Sequence, residues 1–244
     1  MRYFLLAVAV SVALISTPAV AAPGLGEQVY GATVDPGETE LEARYGRLTG
    51  GVDSGEEGLV IEAAHGFSPR FYGAILGEFE REPGGRRKLE ALSIEAIHTV
   101  GRIKPLGIDV AAYGEYEAVL HGPDKIEAKL LLEKRQGRFD ARLNLIANRP
   151  LRSGAPVDFG YAASVDVAAI GEFRLGAAAF GGLGDWRNFT TRGEHFAGPI
   201  VKTEIEHLGR GELEIEAGYL FALGRARDDA KGQVRLLLAY ATHF

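Results

Sequence analysis

The C-terminal stretch from Gln233 to Phe244 reads Q-V-R-L-L-L-A-Y-A-T-H-F and stops on an aromatic residue. Side chains alternate across a strand with a period of two. Val234, Leu236, Leu238, Tyr240, Thr242 and Phe244 therefore share one face, and Gln233, Arg235, Leu237, Ala239, Ala241 and His243 share the other. One face is apolar and the other mixed and small. A soluble edge strand seldom finishes a chain in this way, so this segment predicts a last strand with one face in an apolar medium.

The same alternation recurs upstream. It predicts twelve strands, at about 39–48, 59–67, 71–81, 91–100, 107–118, 126–134, 139–148, 157–169, 173–183, 200–208, 212–223 and 233–244. In the third, Phe71, Ile75 and Phe79 oppose Tyr72, Glu78 and Glu80. In the sixth, Ile126, Ala128, Leu130 and Leu132 oppose Glu127, Lys129 and Glu133. In the eleventh, Leu213, Ile215, Ala217, Tyr219 and Phe221 oppose Glu212, Glu214 and Glu216. The fourth separates its two faces least cleanly. Connections after even-numbered strands are short, as at Ser68-Pro69-Arg70 and Gln136-Gly137. Connections after odd-numbered strands are mostly longer and more polar.

The ending resembles the C-terminal signal of Gram-negative outer-membrane β-barrels, which close on a terminal Phe with apolar or aromatic residues at alternate positions before it. Phe244, Tyr240, Leu238 and Leu236 match that pattern, and Thr242 is milder than the usual residue. The resemblance implies an all-β fold, a transmembrane antiparallel up-and-down barrel over residues 38–244. It also implies the cell outer membrane as location, with outer-membrane lipid and the barrel-assembly machinery as partners. Such barrels have an even strand number, short periplasmic turns and longer external loops, the asymmetry of the connections here. The strands also have about the 9–11 residues that a tilted crossing needs.

Residues 1–21 read as a secretory signal. Arg2 supplies the positive start, Tyr3 to Ile15 is an almost unbroken apolar run, and Ala19-Val20-Ala21 is an A-x-A cleavage site. An anchor helix would need about 20 apolar residues, more than this run holds. Residues 22–37, rich in Gly and Pro, read as a short periplasmic lead-in with too few residues for a substantial plug.

Composition bounds the remaining choices. With 46% hydrophobic and 25% charged residues the chain suits strands that alternate, not membrane-crossing helices. Cysteine is absent, so there is no disulfide framework. With 33 acidic and 27 basic residues it is mildly acidic, against nucleic-acid binding. No cofactor motif is present: there is no HExxH, P-loop or dinucleotide fingerprint. No serine shares a motif with a histidine, so no catalytic residue is assigned, and an outer-membrane lipid-modifying enzyme stays open as an alternative. His65, His98 and His207 fall near strand ends before short turns. They read as interfacial residues, not as metal ligands.

The polar faces carry the candidates for a lumen. The acidic ones are Glu62, Glu78, Glu80, Asp109, Glu115, Glu117, Glu204, Glu206, Glu214 and Glu216. The basic ones are Lys129, Arg142, Arg174, Lys202 and Arg235. A symmetric turn at Gly209-Arg210-Gly211 predicts Glu206 opposite Glu214 and Glu204 opposite Glu216, and directly opposed like charges destabilise a strand pair. The expected function is a narrow channel for small polar or cationic solutes through an acid-rich lumen. A closed structural or adhesion barrel acting through external loops is the other alternative.

Overall fold

A computed structural model of the chain describes residues 22–190 and 193–243; the signal-like segment 1–21 and the terminal Phe244 lie outside the described residues. The strands are β1 (Glu38–Thr49), β2 (Glu57–Ser68), β3 (Phe71–Arg81), β4 (Lys88–Ile103), β5 (Ile108–Val119), β6 (Lys125–Gln136), β7 (Phe139–Pro150), β8 (Asp158–Ile170), β9 (Phe173–Asp185), β10 (Glu194–Leu208), β11 (Gly211–Gly224) and β12 (Gly232–His243). One turn of helix, α1 (Ala226–Asp229), precedes β12.

Each strand pairs antiparallel with its neighbour in sequence, and β12 closes onto β1 from Glu38↔His243 to Thr49↔Gly232. Closure removes every sheet edge, so all strands find ladder partners without water. The connections 50–56, 82–87, 120–124, 151–157 and 225–231, with the described residues 186–190 and 193, gather at one end, and 69–70, 104–107, 137–138, 171–172 and 209–210 at the other. At the short-turn end, Gly137 (φ 61°) and Gly171 (φ 55°) adopt the left-handed conformation that two-residue hairpins require.

The alternation read from the sequence places the side chains. Leu41, Ile75 and Ile94 are at least 60% exposed on the outside, with Leu92, Leu175, Phe221, Val234, Leu236 and Leu238 also on the outer surface. So large an apolar exterior suits lipid and not water. β4 proves regular: Ala91, Ser93, Glu95 and Ile97 are buried while Leu92, Ile94 and His98 are exposed. The ambiguity in its sequence came from Ala91 and Ile97, apolar on the inward face, and from His98, polar on the outward one.

Residues 22–37 do not lie outside the barrel as a lead-in. They run through its interior, from the long-loop end at Ala22 to the short-turn end, where the Gly37 amide donates to the Gly66 carbonyl at 2.7 Å. A ring of twelve strands is too wide for its own side chains to fill in the way an eight-stranded barrel is filled, and this segment takes up the space. Wall glycines make the room. A Cβ on Gly46 would stand 2.8 Å from the Leu25 side chain, and one on Gly66 would stand 2.1 Å from the Asp35 carbonyl oxygen. Leu25 and Val29 join an interior apolar cluster of Leu48, Phe180, Phe196, Ile200 and Leu220, and Tyr30 and Ala32 pack with Ile97, Ala111, Tyr113 and Leu131.

Candidate functional site: the occupied lumen

Tyr30 is the centre of the lumen. It is 6% exposed, and its ring lies 5.0 Å from that of Tyr113. The Lys129 ammonium lies 4.8 Å from the Tyr30 ring centre and 4.6 Å from that of Tyr113, within the range of a cation–π contact. The Tyr30 hydroxyl donates to Glu95 at 2.9 Å and accepts from Arg44 at 2.9 Å. Arg44 also donates to Glu62 at 2.8 Å and to the Gln28 carboxamide oxygen at 2.7 Å, while Gln28 donates to Glu42 at 2.9 Å. A buried charge is tolerable when it is paired and its hydrogen bonds are met. Gln28 and Tyr30 thus supply partners to the Arg44, Glu42, Glu62 and Glu95 group on the wall.

The backbone of the segment is held as firmly. The Tyr30 amide donates to Asn144 Oδ1 at 2.8 Å, and Asn144 Nδ2 donates to the Tyr30 carbonyl at 2.9 Å. The Ala32 amide donates to Glu133 at 2.9 Å, and Thr99 Oγ1 donates to the Ala32 carbonyl at 3.0 Å. Towards the long-loop end, Arg235 donates to the carbonyls of Gly24 and Glu27, and Gln233 donates to that of Pro23 at 3.0 Å. The Arg235 guanidinium also stacks 4.2 Å from the Phe180 ring centre.

Most predicted lumen residues do face inward, but many are paired locally. Lys129 meets Glu127 at 2.9 Å; Arg142 meets Asp140 at 3.0 Å and Glu133 at 3.3 Å; Arg174 meets Asp166. Glu117 meets Lys125 at 2.9 Å. Glu115 accepts from Tyr113 at 2.7 Å and Glu78 from Ser93 at 2.9 Å. Among the described residues, Glu78, Glu80 and Glu115 have no lysine or arginine within 4.0 Å. Together with Glu95 and Glu117 they form an acidic strip on β3, β4 and β5.

The β10–β11 hairpin corrects the predicted register. Glu204 is opposite Glu214, and Glu216 is opposite Lys202, which meets it at 3.3 Å. The turn is a tight one at 209–210, and a bulge between Ile205 and Leu208, with His207 at φ 60°, shifts the count. Glu206 falls in that bulge, exposed at the short-turn rim. The three histidines are spread over β2, β4 and β10. His65 contacts Thr39 Oγ1 at 2.9 Å and the edge of Phe67 at 4.9 Å, at the outer rim. In the last strand Leu236 and Leu238 face outward, and Tyr240 donates to the Leu208 carbonyl at 3.0 Å.

Sequence reading missed Tyr30, Gln28 and Glu95 as lumen groups, and left Asn144 and Glu133 as ordinary residues of the polar faces. The available signal was Gly46, Gly58 and Gly66, which leave three inward positions on β1 and β2 without side chains.

Two cavities flank the segment. The one at the long-loop end, about 350 Å³, is lined by Ala22, Asp53, Glu56, Glu194 and Asp229 among others. Burial there, with Asp53, Glu80 and Glu194 nearby, pushes the Glu56 carboxyl up to about 7, against the pull of a hydrogen bond from the Ala22 amide. The one at the short-turn end, about 120 Å³, is lined by Tyr30, Thr33, Asp35, Glu40 and Tyr72 among others.

No family model matches the chain, and no curated protein matches it. Solved structures do. The COG4313 outer membrane channel from Pseudomonas putida F1 is similar with a TM-score of 0.59 at 14% identity, over 86% of this chain and 97% of that one. The KdgM porin in complex with disordered oligogalacturonate matches with a TM-score of 0.56 at 9% identity, over 84% of this chain and 99% of that one. The NanC porin matches with a TM-score of 0.55 at 9% identity, over 84% and 99%. The fold is therefore a twelve-stranded closed antiparallel barrel of the kind seen in these outer-membrane channels.

Proposed function

We propose that this protein is a narrow outer-membrane channel for small polar solutes, preferentially cationic, kept shut by its own N-terminal segment. The observation that carries the reading is the occupation of the lumen by residues 22–37, held by side chains of the wall and not by a continuous strand ladder. A segment held through side-chain contacts can leave without breaking the barrel. Carboxylates on β3, β4 and β5 would then line the path, and acidic walls favour cations. On this reading residues 1–21 are a signal that is removed, and the segment begins at Ala22 beside the cavity lined by Asp53, Glu56, Glu194 and Asp229.

The test is planar-bilayer conductance of the processed protein and of a form lacking residues 22–34, across a salt gradient. The full protein is expected to be mostly closed. The shortened one is expected to give stable steps with a reversal potential of cation-selective sign, reduced by Glu78→Gln with Glu115→Gln. Silence from a shortened barrel shown to be folded would instead support the closed structural barrel acting through its loops.

A further inference from the structure

The outer surface carries a charged cluster that the lumen does not use. On the outward face of β1, β2 and β3, Arg47, Glu57 and Arg81 stand side by side: Glu57 is the register partner of Arg47 on one side and of Arg81 on the other. The Glu57 side chain is 4% exposed. Arg81 reaches it at 2.7 Å, Arg87 from the 82–87 connection at 2.7 Å, and Arg47 at 3.6 Å. Three guanidinium groups therefore converge on one carboxylate. They are 50%, 32% and 39% exposed for Arg47, Arg81 and Arg87. The sequence neighbours Glu56 and Glu82 line the cavity at the long-loop end and do not restore neutrality on this face.

The position of the cluster decides what it can meet. The next outward row towards the short-turn end is Tyr45, Leu59 and Phe79, in register across the same three strands, and beyond it come the exposed Ile61 and Ile75. Two residues along a strand span about 6.6 Å. The arginines thus stand one row above an apolar belt, at the long-loop end, which is the external end of an outer-membrane barrel. Arg87 also lies over the Tyr45 ring at 5.9 Å, which fixes it near the surface. An excess of guanidinium at that height, with Glu57 clamping two of its members, is the chemistry for a phosphate, which arginine binds through paired N–H donors.

We propose that Arg47, Arg81 and Arg87, organised by Glu57, form a binding site for the phosphate of an outer-leaflet lipid headgroup, whose acyl chains lie along Tyr45, Leu59 and Phe79. Glu57 positions the arginines and leaves their outer N–H groups for the ligand.

The test titrates the purified full protein in mixed micelles with bisphosphorylated lipid A, with the same lipid after dephosphorylation, and with inorganic phosphate. Wild type is expected to bind the phosphorylated lipid at least tenfold tighter than the dephosphorylated one, with inorganic phosphate a poor competitor. Arg47→Ala with Arg87→Ala, which leaves Arg81 to pair Glu57, is expected to lose at least tenfold. Arg149→Ala, at the same end of β7 and outside the cluster, is expected to bind as wild type. Should the double variant fail to fold, Glu57→Gln, which removes the charge that positions the three guanidinium groups, is expected to lose at least threefold, and unchanged binding in it would overturn the role of Glu57 in the site. Equal binding of the two lipids, equal loss in Arg149→Ala, unchanged binding in the double variant, or full competition by inorganic phosphate would each overturn the lipid site.

Discussion

Asn144 holds the backbone of Tyr30 at both of its polar groups, accepting from the amide at 2.8 Å and donating to the carbonyl at 2.9 Å. The carboxamide acts as one rung of a strand ladder, offered by β7 to a segment that has no ladder of its own. Buried hydrogen bonds of this kind contribute about 1 kcal/mol each. Asn144→Ala is therefore expected to weaken docking of the segment by about 2 kcal/mol, roughly thirtyfold in the docked-to-released ratio. Single-channel recording reads this as a matching rise in open probability. Urea unfolding of the barrel itself should change far less, since the β7 ladder is untouched.

Gly66 tests the same docking from the wall. A methyl group there would stand 2.1 Å from the Asp35 carbonyl oxygen, a backbone atom, so the segment has to move. Overpacking a tight site costs about 1–3 kcal/mol. Gly66→Ala is expected to expose the residues near Asp35 to added protease while the barrel keeps its folded migration on unheated gels. Equal protection of Asp35 in wild type and variant would show that the segment does not rest on this wall.

The barrel was legible in the sequence because its rule is strictly local. Each outward residue meets lipid and each inward residue meets the lumen, so a period of two runs through β3, β6 and β11 without help from distant residues. The lumen was less legible because its partners come from far apart in the chain. Arg44 alternates correctly on β1, yet its meaning depends on Tyr30 and Glu62. Asn144 is an ordinary inward polar residue until the Tyr30 backbone lies against it. Residues 22–37 have no period of two, and their place is set by the width of the ring and by Gly46, Gly58 and Gly66. The β10–β11 register failed for a related reason: a bulge at His207 leaves no mark in the alternation before it.

That bulge sets Glu204 directly opposite Glu214 near the short-turn mouth. Opposed like charges cost about 0.2–1 kcal/mol relative to a neutral pair. Glu214→Gln is expected to raise the urea midpoint of the barrel by an amount in that range, and Glu216→Gln to lower it, because Glu216 meets Lys202 at 3.3 Å. The opposite signs for two glutamates on one strand face distinguish this register from the symmetric one.

Glu56 gives the pH dependence. Its carboxyl is raised from an ordinary 4.5 to about 7, first by burial and then by Asp53, Glu80 and Glu194, so the folded protein holds this proton over a range in which the unfolded chain has released it. Stability rises with pH only where the unfolded state binds more protons; here the folded state binds more. The contribution of Glu56 is thus fully present below about 4.5, declines as pH rises towards about 7, and is lost above. Glu56→Gln, which stays neutral throughout, isolates the effect from other groups that titrate in the same window. The difference in urea midpoint, variant minus wild type, is expected to grow between pH 4.5 and 7 and to level off above, with the variant the more stable at high pH. A difference that stays flat across the window would place Glu56 in ordinary solvent.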